Sequence, residues 1–272
     1  MTLNLQTIVG FFALTLLLFS PVSGVYACEK IDPEIMRKLD EKVIVLGEIH
    51  GTVEMPEFAG NLFCYFAMNR QPVLLGLEMP EDLQPSINTY LASSGRPADK
   101  IALLTESFWK WAGKSGQAST ALFQLIEKVR MLKSEGYPAL LFVFDSAADH
   151  MANRLMPDEN WQMGRDFNMA ATIAKRQEQY KKYRIIVLTG NLHAKRDRVQ
   201  GRMAGFLERY APLVSAKLVS QTDGHSWNCS GKSVETRVCG ESVEPAYTAN
   251  TEAGFDLIIK LKELHASSPA IE

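Results

Sequence analysis

Short apolar runs alternate along this chain with longer stretches of helical periodicity. Val43-Ile44-Val45-Leu46 reads as a buried strand followed by a glycine turn, and Val73 to Leu77 as a second, closed by Pro80. Ala139 to Phe144 and Arg184 to Leu188 repeat the pattern, the last running into Thr189-Gly190. Helices are predicted over about Met55 to Met68, Leu83 to Leu91, Ala118 to Ser134, Trp161 to Lys182 and Val199 to Tyr210. In the third of these, Leu122, Leu125, Ile126, Val129 and Leu132 form one apolar stripe with a wet face opposite. Ser94-Gly95-Arg96-Pro97 is a loop signal, and Ser107 to Gly116, rich in Trp, Gly and Lys, reads as irregular. Leu213 to Ser220, Ser233 to Val238 and Phe255 to Leu261 are further strands, expected at an edge or in a small hairpin. The alternation predicts an α/β fold in a single domain, a mainly parallel β-sheet flanked by helices on both faces, with a C-terminal β-hairpin or edge-strand addition.

The N-terminus carries a different signal. Ile8 to Phe19 is almost wholly apolar, Ser20-Pro21 breaks the run, and Val25-Tyr26-Ala27 places small residues where a signal peptidase reads them. Residues 1–27 are therefore expected to be a cleaved signal peptide, with 28–272 as the single mature domain, periplasmic or secreted. A retained N-terminal anchor is the competing reading, since no Lys or Arg precedes the run. A lipid anchor on Cys28 is a third, although Val25-Tyr26-Ala27-Cys28 lacks the Leu of a lipobox and carries a bulky Tyr. The four cysteines suit an oxidising compartment: Cys229 and Cys239 flank a short polar segment able to turn back, which leaves Cys28 and Cys64 as the other pair. The competing reading for Cys64 is a free core thiol among Phe63, Tyr65 and Phe66. The net charge of −2 argues against nucleic acid as a partner and against an anionic membrane surface. Contact with a membrane is expected only through the signal or a lipid anchor.

Ionisable residues gather after the predicted strands. Glu48 and His50 follow the first, Glu78 ends the second, Asp145 ends the third, and His193 follows the fourth. Ligands of open α/β sheets bind outside the carboxyl ends of the strands, so these side chains are delivered toward one edge. Gly47 and Gly51 flank Glu48-Ile49-His50 and let backbone approach a ligand closely. Each residue taken singly has a plainer role, such as a helix cap or a hydrogen-bonded core group; their convergence is what points to a site. Asp145 and His150 are candidates to support it from behind. Lys195-Arg196-Asp197-Arg198, directly after His193, is a candidate to hold a carboxylate or propionate at the mouth. His225 and His265 receive no role, and neither a phosphate-binding glycine loop nor a nucleophile-elbow serine is present.

Gly47-Glu48-Ile49-His50-Gly51, Gly76-Leu77-Glu78-Met79-Pro80 and Gly190-Asn191-Leu192-His193 together resemble the EreA/ChaN-like superfamily, which gathers erythromycin esterases, TIKI and TraB proteins and ChaN-type haem-binding proteins. Arg165-Asp166-Phe167-Asn168-Met169-Ala170 is similar to a helix motif of the same group, and the resemblance runs from about Val43 to Ala194. It implies a site of Glu48, His50, Glu78 and His193, supported by Gly47, Gly190, Asp145 and Arg165. It also implies hydrolysis of an ester or amide in a small-molecule or peptide ligand, with Glu78 or Glu48 as general base and the histidines orienting water or stabilising the oxyanion. A divalent metal held by His50, His193, Glu48 and Glu78 is a variant of this reading. The ChaN-type members imply an alternative, non-covalent haem binding and uptake, with Phe108, Trp109 and Trp111 as apolar walls. A degenerate enzyme kept as an interaction module is the third.

Overall fold

A computed structural model describes residues 28–112, 116–145, 159–230 and 238–271. The expected signal peptide, His150 and all but the last residue of the strand expected at 233–238 lie outside these residues, as does the side chain of Trp111. Six strands form one sheet: β1 (Val43–Glu48), β2 (Val73–Pro80), β3 (Ala139–Asp145), β4 (Arg184–Gly190), β5 (Leu213–Ser220) and β8 (Leu257–Leu261), in the order β3-β2-β4-β1-β5-β8. Every pairing in it is parallel. The remaining strands, β6 (Gly224–Ser230) and β7 (Val238–Glu244), make a separate antiparallel hairpin.

Parallel strands need crossovers, and from β1 through β5 these are helices that bury both faces of the sheet, while β5 reaches β8 by way of the hairpin. One face is covered by α2 (Glu54–Met68), α3 (Gln84–Leu91) and α6 (Thr120–Ser134), which pack Leu62, Phe63, Ile87, Leu125 and Val129 against Ile44, Leu46, Leu75 and Ile186. The other is covered by α7 (Glu159–Gln179) and α9 (Met203–Leu207), which pack Met169, Ala170, Ile173 and Leu207 against Val43, Val45, Leu74 and Val187. Double burial explains why β1 to β4 read as continuous apolar runs rather than as alternations.

Several elements differ from expectation. Ser107–Ala112 is a helix, α5, and two more short helices, α1 (Pro33–Lys38) and α4 (Pro97–Leu104), have no counterpart in the predicted pattern. Each is eight residues or shorter, too brief to display a two-turn apolar stripe. The helix expected over Val199–Tyr210 shrinks to Met203–Leu207 because Asp197 captures the amides of Val199 and Gln200 and Gly201 takes a positive φ of 64°. Strand β5 is not an edge: it lies between β1 and β8, and β8 is the edge. The hairpin does form, but from 224–230 and 238–244.

Both expected disulfides are present. Cys229 and Cys239 face each other across the hairpin with Cα atoms 4.0 Å apart, and Cys28 joins Cys64 on α2 with a separation of 5.7 Å. The latter ties the start of the described chain to the core. In the chain-entropy picture a loop of that length stabilises by about 4 kcal/mol.

Candidate active site

The carboxyl ends of β1, β2, β3 and β4 bring the expected residues together. Glu48 closes β1, and its Oε1 lies 2.9 Å from His50 Nδ1. His50 Nε2 is 3.6 Å from Glu78 Oε2, and Glu78 Oε1 is 3.6 Å from His193 Nε2. His193 sits in the one-turn helix α8 (Asn191–Ala194) that follows β4. Glu48, Glu78 and His193 are 6–7% exposed, whereas the His50 side chain keeps 22% of its surface open.

Asp145 and Arg165 stand behind this row. Arg165 arrives from α7, whose buried stripe continues through Met169, Ala170 and Ile173 and so carries the arginine to the strand ends. Its guanidinium donates to Asp145 Oδ1 and Oδ2 at 3.0 and 2.7 Å, and to Glu78 Oε1 at 2.7 Å. A further N–H reaches His193 Nε2 at 3.0 Å. Arginine only donates, so this nitrogen accepts, and the ring proton belongs on Nδ1. There it meets Asp166 Oδ1 at 2.7 Å, and the same oxygen accepts from Met203 N at 2.8 Å. His193 is thereby held between an acid and a guanidinium.

Glu78 is equally committed. Besides Arg165, it accepts from Thr189 Oγ1 at 2.7 Å, from Gly190 N at 2.8 Å and from Gln117 Nε2 at 3.1 Å. Burial opposes its ionisation, but the neighbouring His193 and His50 rings, the Arg165 guanidinium and the Gly190 N–H outweigh it, so the carboxyl titrates well below its ordinary 4.5. A carboxylate held this firmly is a weak base. Burial likewise opposes the imidazolium of His50; the hydrogen bond to Glu48 and the charges of Glu78 and Glu48 prevail over it and over Arg165, raising His50 above 6.5. Glu48 keeps one buried oxygen, Oε2, with no hydrogen-bond partner among the described residues.

Gly190 explains the spacing. A Cβ there would stand 3.2 Å from His50 Nε2, 3.6 Å from Glu78 Oε2 and 3.7 Å from His193 Cδ2. A side chain at 190 would therefore crowd both histidines and the central carboxylate, which only glycine lets approach the backbone this closely. Gly47 admits Asn191 in the same way, since a Cβ there would come within 2.7 Å of Asn191 Oδ1.

No protein-family model matches the sequence, and none of the curated proteins does. Solved structures do match in shape. The fold is shared with an erythromycin esterase. That enzyme, EreC in its open conformation, aligns at a TM-score of 0.58 and 12% identity over 80% of this chain and 81% of its own. A succinoglycan biosynthesis protein aligns at 0.60 and 11% identity over 87% of this chain and 91% of its own. A Bacillus cereus protein aligns at 0.54 and 11% identity over 87% and 92%. At these identities the likeness concerns the fold alone.

Three sequence-based expectations change. The metal variant does not fit the donors. Both ring nitrogens of His193 are already engaged, and the Arg165 guanidinium lies 2.7 Å from Glu78, where a divalent ion would be repelled. Among the described residues no group of three or more His, Cys, Asp or Glu side chains is arranged to hold a metal. Phe108 and Trp109 are 2% and 0% exposed and pack edge to face in the core, so they do not wall a haem slot. Arg196 and Arg198 are paired with Glu208, and Arg196 also with Asp256, so the basic run after His193 is partly neutralised within the chain.

The structure also adds residues. Asp166 orients His193, Thr189 and Gln117 hold Glu78, and all three went unassigned. Asp166 had a signal, its place beside Arg165 in a helix motif. Gln117 had none, because a glutamine before a helix carries no pattern of its own.

Proposed function

We propose that this protein is an exported cell-envelope hydrolase that cleaves an ester or amide bond of a small-molecule or peptide substrate, with His50 as general base. The observation that carries the reading is the Glu48–His50 pair. Glu48 holds Nδ1, and the partly exposed ring lies with its Nε2 close over Gly190. A base oriented by a carboxylate, on a ring that keeps part of its surface open, is the arrangement that water activation requires. In this scheme His50 takes a proton from water, the oxygen adds to the substrate carbonyl, and the leaving alcohol or amine recovers the proton. Arg165 supplies the fixed positive charge beside which the oxyanion develops. Glu78 serves as the anionic anchor rather than the base, and Glu48 is the orienter.

Only neutral His50 accepts a proton, so kcat/KM on a cleaved substrate is expected to rise with pH through a midpoint above 6.5. Glu48→Gln removes one of the two charges that raise His50, leaving that of Glu78, and the midpoint is expected to move down as the rate falls. Measuring both pH–rate profiles over a panel of ester and amide substrates checks this. An unmoved midpoint in the variant would assign the base elsewhere.

Export is supported by the apolar N-terminal run and by two disulfides, which persist in oxidising compartments. A Cys28 sulfur bonded to Cys64 is not available for thioether lipidation. The mature protein is therefore expected to start near Cys28 and to carry no lipid. N-terminal sequencing and intact-mass measurement of envelope protein test this, and an intact Met1 would overturn it.

A further inference from the structure

Gly51, the residue after His50, is where four separate stretches of chain meet. Its carbonyl accepts from Trp227 N and from Ser267 N, both at 2.8 Å. Trp227 lies in the hairpin closed by Cys229–Cys239, and Ser267 in the tail beyond β8. The tail runs on past both loops that carry site residues. Thr52 bridges Ala266, Val53 N donates to His265 O, Ala121 N donates to the buried Ser267 Oγ, and Thr120 N donates to Ser268 O. His225 N, donating to Leu264 O, joins hairpin to tail.

Gly116 completes the junction. A Cβ on it would stand 2.5 Å from Trp227 O and 2.8 Å from Gly51 N, and one on Gly51 would stand 2.1 Å from Trp227 O. Both glycines adopt a φ of +79°. Three backbones thus touch with no room for a side chain between them. On one side of this contact is His50, and on the other is Gln117, which donates to Glu78.

We propose that the disulfide-closed hairpin and the C-terminal tail act as a clamp that sets His50 against Glu48 and Gln117 against Glu78, with Gly116, Trp227 and Ser267 as positioning residues. The inference rests on the hydrolytic reading above for its catalytic consequence. The physical need is clear. His50 is partly exposed on a turn, and a working base must be held to within about 0.5 Å. Two hydrogen bonds into one carbonyl, from elements far apart in sequence, supply that constraint. A two-stranded hairpin alone is marginal in water, so the Cys229–Cys239 bond is what makes this arm of the clamp firm.

The test is Gly116→Ala, which wedges Gly51 from Trp227 without altering any ionisable group. His50 is followed by imidazole NMR titration, and kcat and KM are measured beside it. The expected result is a folded protein whose His50 midpoint falls toward 6.5, with kcat reduced about tenfold or more and KM changed less. Should Gly116→Ala not fold, Cys229→Ser/Cys239→Ser, which loosens the hairpin that carries Trp227, is read in the same way. Folded variants with the wild-type His50 midpoint overturn the clamp, whatever their activity. A shifted midpoint in a protein whose wild type hydrolyses nothing upholds the clamp and overturns the hydrolase reading instead.

Discussion

His50→Ala is expected to lower kcat by about 10²- to 10⁴-fold, the usual contribution of a positioned general base, while the protein remains folded. The direction follows from what the ring touches. His50 contacts the site through Glu48 and Glu78, and it is the least buried member of the row. Its removal frees a second oxygen on Glu48, whose Oε2 already has no partner among the described residues, so a modest loss of stability accompanies the loss of rate. Circular dichroism and urea unfolding measure the second effect, and steady-state kinetics the first. His50→Gln keeps a side-chain amide near Glu48 and is expected to recover stability without recovering rate. A variant that retains more than a tenth of the wild-type kcat would remove His50 from the chemistry.

Arg165→Met is expected to produce the largest stability change, a loss of about 3–5 kcal/mol, the range seen when one partner of a buried ion pair is removed. The guanidinium serves Asp145, Glu78 and His193 at once, and its residue is 8% exposed. Methionine conserves the stem's volume, so the effect reports the charge. Asp145 and Glu78 would remain buried beside each other without it, and two close carboxylates resist joint ionisation. The variant's stability should consequently depend differently on pH. In the wild type the folded Glu78 titrates well below 4.5, so its contribution is present above that value and is lost as the pH falls below it. Without Arg165 that depression shrinks, and the gap between wild type and variant is expected to be wide at neutral pH and to close on acidification. Urea midpoints measured across this range decide it. A gap that stays constant with pH would mean that packing rather than charge holds Arg165 in place.

Much of this arrangement was legible in the chain. Val43–Leu46, Val73–Leu77, Ala139–Phe144 and Arg184–Leu188 read as strands because a parallel sheet covered on both faces leaves no polar alternation. Parallel strands joined by helices end on one side, so Glu48, Glu78, Asp145 and His193 had a common destination before any contact was known. Cys229 and Cys239 were legible for a similar reason, since ten residues rich in polar groups turn back easily.

What the tertiary structure alone decided is of another kind. Nothing in Leu213–Ser220 says that it docks beside β1, some 170 residues earlier, because an apolar run states that it must be buried but not against which neighbour. Gln117 and Asp166 gained their roles from the placement of α6 and α7, and the engagement of both His193 nitrogens, which removes it as a metal ligand, depends on that docking. The contact of Gly51 with Trp227, Ser267 and Gly116 joins four distant segments through backbone atoms. Every residue has those atoms, so such a contact leaves no mark in the sequence beyond two glycines. Local periodicity therefore set the elements and the edge at which the chemistry collects. Long-range packing set which groups neutralise one another and which nitrogen remains open to a substrate.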